Sequence, residues 1–106
     1  MNGEIQEKGF DFSIRIAELV QFLRSDKLGF PLSDRLLNCG VQAGLACRML
    51  DSGSAGDAKS AKQAAELVTE AEYIIEMARV AGYLREEQCV HIRQDCKTLA
   101  DSLLHV

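Results

Sequence analysis

A chain of 106 residues, 47% apolar and 26% charged, suits one soluble domain (1–106) and leaves no room for a second core. Its net charge of −4 argues against non-specific nucleic-acid binding, which needs clustered Lys and Arg. No apolar run approaches the roughly 20 residues that span a bilayer, and the polar stretch Met1 to Lys8 is not a signal peptide, so the expected location is cytoplasmic and no membrane contact is expected.

Residues 1–10 read as a flexible N-terminus. A first helix is predicted over 11–26, with Asp11 or Ser13 as N-cap. Its apolar rows are Phe12, Ile16, Leu19, Leu23 and Phe10, Ile14, Ala17, Val20, which together make a broad face. Gly29 and Pro31 end it. A second helix is predicted over 32–50, capped by Ser33 or opened by Pro31. Leu36, Gly40, Ala43, Cys47, Leu50 form one row and Leu37, Val41, Leu45, Met49 another, so this helix must be covered on more than one side.

The stretch from Asp51 to Asp57 has loop composition. A third helix follows over 57–81, with Ala61, Ala64, Val68, Ala71, Ile75 and Ala78 on its apolar side, and Gly82 suits the left-handed residue after its end. The fourth, over 85–104, carries the seam Cys89, Ile92, Cys96, Leu99, Leu103 at 3-4-3-4 spacing. Short connections between long helices make neighbours antiparallel. The predicted fold class is therefore all-α, an antiparallel up-and-down four-helix bundle.

The search for chemistry yields no active site. Neither His91 nor His105 follows a Glu by three residues, as di-iron bundles require, and no Cys-x-x-Cys pair exists. No metal, cofactor or small-molecule substrate is expected, and the protein reads as a non-enzyme. Cys39 and Cys47, like Cys89 and Cys96, sit seven or eight residues apart on one helix, roughly 10 Å along its axis, beyond disulfide reach. They read as buried thiols acting as small hydrophobes. The acidic pairs Glu66/Glu70 and Glu72/Glu76 read as a solvated face, mildly self-repelling unless cations from another helix or subunit neutralise them.

Gly40 and Gly44 are the most informative local feature. A glycine inside a helix costs about 1 kcal/mol relative to alanine. Close approach of another backbone would offset that, either inside the bundle or between subunits. The candidate packing or interface residues are accordingly Leu36, Leu37, Gly40, Val41, Gly44 and Leu45. Should nucleic acid be a partner, its contacts would come from Arg15, Arg24, Lys27, Arg35 and Arg48.

Three motifs in order resemble the four-helix-bundle proteins encoded in intervening sequences of bacterial 23S ribosomal RNA genes. Leu36-Leu37-x-x-Gly40-x-x-x-Gly44 is similar to the family's Leu-Leu-Arg-Ser-Gly-Thr-Ser-Ile-Gly. Glu70-Ala71-Glu72-Tyr73 follows, then Ala81-Gly82-Tyr83-Leu84 with Glu86 and Glu87. The resemblance covers nearly everything from Phe12 to Leu104. It implies a homopentameric ring and no enzyme activity. It also implies kinship with the accessory variability protein of diversity-generating retroelements, which binds nucleic acid and a reverse transcriptase.

This chain has Asn38 where the family usually has a basic residue, and Ala46, Arg48 and Met49 where the family tends to Asn and Glu. Two functions follow as expectations. One is a non-enzymatic homo-oligomeric scaffold or adaptor that associates through its first two helices. The other is a nucleic-acid-binding accessory subunit, with weak and salt-sensitive affinity. Free cations in a stripe would favour the second, and acid-paired arginines the first.

Overall fold

The computed structural model describes residues 3–25, 29–50 and 56–106. Its elements are α1 (Gly3–Ser25), α2 (Ser33–Arg48), α3 (Asp57–Val80) and α4 (Glu86–Leu104), and no strand occurs among the described residues. Each helix packs against the next and α4 returns to α1, which makes an antiparallel four-helix bundle 46 Å long and 18–19 Å across. The predicted apolar rows supply the core. Phe12, Ile16, Val20 and Leu23 of α1 meet Leu36, Ala43 and Cys47 of α2, Val68, Ala71 and Ile75 of α3, and Ile92, Cys96, Leu99 and Leu103 of α4.

The α3–α4 connection follows its predicted chemistry. Gly82 takes φ +93°, the Gly82 N–H donates to Arg79 O and the Tyr83 N–H to Ala78 O, so two otherwise orphaned helix-end carbonyls are satisfied. Arg85, extended at ψ 162°, precedes α4, and its N–H donates 2.7 Å to the Gln88 side chain. Gly29 has φ +63° in the other connection at the same end. There the Phe30 and Tyr83 rings meet with centroids 5.0 Å apart and cover that end of the core.

The first helix departs from expectation. It begins at Gly3, so residues 3–10, read from sequence as a flexible terminus, are helical. The reason is tertiary. Gln6 Nε2 donates 2.8 Å to Leu50 O, and Gly9 is buried against Cys47 and Gly44. Asp11 and Ser13 therefore lie inside the helix and cap nothing. Ser33 is not an N-cap either: its hydroxyl donates 2.8 Å back to Phe30 O, and the helix is preceded by Leu32 without a side-chain cap. The start of α3 and the end of α4 fall where predicted, and the remaining boundaries differ by one or two residues.

Candidate interaction surfaces

Gly40 and Gly44 face α1 within the same chain. A Cβ on Gly40 would stand 2.7 Å from Ile16 Cγ2, and one on Gly44 would overlap Ser13 Oγ and stand 2.9 Å from Gly9 O. One on Gly9 would lie 2.5 Å from Cys47 Cβ. Three glycines thus let two helices touch nearly backbone to backbone. Ser13 Oγ, shared between Gly9 O at 3.1 Å and Gly40 O at 2.7 Å, ties the two helices together at the crossing. Leu36 is buried in the core and Leu37 packs against its edge.

Val41 and Leu45 are placed differently. They follow Gly40 and Gly44 by one residue, a rotation of about 100° around the helix, and are 53% and 57% exposed. Phe10 and Ile14, one residue beyond Gly9 and Ser13, turn out on the α1 side and are also exposed. Arg48 lies over the Phe10 ring, 5.4 Å from its centroid, which joins the two helices' outer rows. The outer face of the α1–α2 pair is therefore an apolar strip of Phe10, Ile14, Val41, Leu45 and Met49. The sequence rows contained all five residues, but which row would stay outside was not legible from spacing.

A second exposed apolar row had not been singled out. Tyr73, Met77 and Val80 lie at 4-3 spacing on the side of α3 opposite its buried Ala71, Ile75 and Ala78. Its signal was present as a short off-core row, obscured by the alanine-rich row beside it.

The candidate nucleic-acid contacts do not converge. Arg15 is held by Asp95, Arg24 by Asp34 and Arg35 by Glu70, the last at 2.6 Å. Arg48 rests on Phe10. Lys27 lies outside the described residues. The hydrogen bond from Arg35 lowers the Glu70 pKa; desolvation opposes it, and the Arg35 charge and a hydrogen bond from Cys39 add to the lowering. The acids of α3 are answered from neighbouring helices: Glu70 by Arg35, Glu72 by Lys97 at 4.0 Å, and Glu76 by Arg93 at 3.1 Å. Only Glu66 of the four stays outside these ion pairs.

All four thiols are free and buried. Desolvation pushes Cys47 up to about 11 and Cys96 up to about 12, so neither is a nucleophile at neutral pH. His91 lies in an open groove of about 710 Å³ between α1 and α4, lined also by Glu18, Leu19, Phe22, Ile92 and Asp95. His105 is exposed, its Nδ1 2.7 Å from Asp101 O. Among the described residues no three His, Cys, Asp or Glu side chains gather as metal ligands, and no helix is long and apolar enough to cross a membrane.

No protein-family model matches the chain, and no curated protein matches it. Among solved structures it is similar to a protein of unknown function from Bacteroides thetaiotaomicron, described as belonging to the S23 ribosomal protein family. The identity is 24%, 95% of each chain is covered and the TM-score is 0.86. That likeness establishes the shared four-helix fold.

Proposed function

We propose that this protein is a non-enzymatic, homo-oligomeric scaffold or adaptor of the 23S rRNA intervening-sequence type, acting in the cytoplasm and assembling through the outer face of α1 and α2. The observation that carries this reading is the apolar strip Phe10, Ile14, Val41, Leu45 and Met49. It stays in water although the same two helices have already buried a complete inner face. Contiguous apolar strips on soluble domains mark association sites. The sequence motifs and the fold shared with the S23-family protein support the family assignment, and the pentameric stoichiometry rests on the resemblance alone.

The reading as a nucleic-acid-binding accessory subunit draws less support. Phosphate recognition needs cations free to release their counter-ions. Arg15, Arg24 and Arg35 are already matched with carboxylates.

Sedimentation velocity at micromolar concentration tests the proposal. The wild-type chain is expected to sediment as an oligomer, and Leu45→Asp is expected to sediment as a helical monomer. A wild-type chain that is only monomeric overturns it. Nanomolar binding of RNA or duplex DNA at physiological ionic strength would favour the accessory-subunit reading instead.

A further inference from the structure

The seams of the bundle are unequally filled. Between α1 and α4 runs the open groove of about 710 Å³, and past the Arg15–Asp95 pair a smaller hollow of about 180 Å³ continues it to Lys8 and Leu99. We propose that this groove is the docking site for a cationic amphipathic α-helix of a partner protein. The inference goes beyond self-association. Leu19 in the groove is rotated about 140° around α1 from Ile14 of the apolar strip, so groove and strip serve separate contacts.

The shape of the groove is that of a missing helix. Its α1 wall presents Arg15, Glu18, Leu19 and Phe22, and its α4 wall Gln88, His91, Ile92 and Asp95. Each set is spaced i, i+3, i+4, i+7, so two helical ridges flank one trough. Groove and hollow together follow α1 from Phe22 back to Lys8, roughly 20 Å, the length of a helix of about 14 residues. Phe12, Ile92 and Leu99 make the apolar floor, and Leu19 and Phe22 the apolar part of the α1 wall. Phe22 is 45% exposed. An aromatic ring half in water at the edge of a trough is the kind of anchor that helix-in-groove contacts use.

Charge decides the occupant. Arg15 is a single cation among three acids. The hydrogen bond to Asp95 and the Asp95 charge raise its pKa, desolvation opposes them, and the charges of Asp11 and Glu18 add to the rise. Asp95 engages the guanidinium, and Lys8 at the far end is engaged by Glu4. Asp11 and Glu18, two turns apart on the α1 rim, form no ion pair among the described residues. One edge of the groove therefore keeps two negative charges. A helix with an apolar face and Lys or Arg two turns apart beside it meets both. A second copy of the chain offers no such face. Its exposed helical row Tyr73–Met77–Val80 has only Arg79 for a cation, already held by Glu76 and Glu86. Its α1–α2 strip, spread over two helices, is too broad to enter one trough.

The probe for the test is a fluorescein-labelled, alanine-based helical peptide of about 14 residues, with leucines at i, i+3, i+7 and i+10 and lysines beside them. A twin peptide carries glutamates in place of the lysines. Anisotropy with the wild-type full chain is expected to show micromolar binding of the lysine peptide and about tenfold weaker binding of its twin. Phe22→Asp is expected to weaken the lysine peptide about tenfold, with Phe22→Ala standing in if helical circular dichroism is lost. Glu18→Gln should narrow the difference between the two peptides, whereas Glu66→Gln on the outer face of α3 should leave it unchanged. Leu45→Asp should bind as the wild type does, which keeps this result independent of the oligomeric state. In proton NMR the lysine peptide should shift the His91 ring signals and leave those of His105 in place. No binding, equal binding of the twins, or binding indifferent to Phe22→Asp would overturn the proposal. Loss of binding in Leu45→Asp would place the peptide on the apolar strip and overturn it too. So would a peptide that disperses wild-type oligomers, making the groove a subunit contact, or one that moves His105 instead of His91.

Discussion

Two seams of α1 close in opposite ways. Toward α2, the helix meets Gly40 and Gly44 with Gly9, Ser13 and Ile16, and the hydrogen bond from Ser13 to Gly40 O joins side chain to backbone across the gap. Toward α4, an open groove of about 710 Å³ separates the helices, and the Arg15–Asp95 ion pair spans the seam. A short side chain brings backbones together, so packing does the holding. A long charged side chain spans a distance that packing has left open, and an exposed ion pair contributes little and weakens with salt. The seam with the smaller residues is thus the stronger one, and it is also the one whose outer edge offers the apolar strip.

The largest expected effect comes from filling the tight seam. Gly44→Leu should cost about 3 kcal/mol by overpacking against Ser13 and Gly9, read as a lower urea midpoint. If the substitution is neutral, the seam is not close-packed as described.

Next in size is the response of the core between the two seams to alkaline pH. Buried Cys47 and Cys96 hold their protons to about 11 and 12, whereas in the unfolded chain a thiol ionises near 9. The folded values are raised, so this stabilisation is complete below pH 9 and is lost as pH rises through the folded values. Urea unfolding should show stability falling steadily above pH 9. A flat profile would mean that water reaches these thiols in the folded bundle and that they titrate normally.

A smaller effect isolates the serine. Gly44→Ala should destabilise, whereas alanine at an open helical site stabilises by up to about 1 kcal/mol. Part of that loss should disappear in a Ser13→Ala background, because the overlapping hydroxyl is gone. A coupling of about 1 kcal/mol in the double-mutant cycle is the expected reading. Strict additivity would place the strain elsewhere.

The smallest change is expected from Asp95→Asn at the loose seam. It should lower the urea midpoint slightly at low salt and not at all at high salt. A loss matching that of Gly44→Leu would reverse the comparison, making the ion pair rather than the glycines the principal tie of α1.

The sequence by itself determined the four helices, their antiparallel order and most of the buried positions. Those features follow from the 3.6-residue repeat and from local stop signals such as Gly29 and Gly82, which act within a few residues along the chain. It also singled out Gly40 and Gly44, because an interior glycine needs a reason. Only the tertiary structure decided what that reason was. The first turns of α1 gain partners 44 residues away, Gln6 with Leu50, so a segment whose local composition reads as loose is helical. Of two apolar rows on α2, periodicity cannot say which meets the core. The close approach at Gly40 and Gly44 turned Leu36 inward and left Val41 and Leu45 outside. Arg15, Arg24 and Arg35 looked available until distant acids were brought beside them. In each case the missing information was the identity of a partner on another helix, which the packing of faces selects and no local pattern encodes.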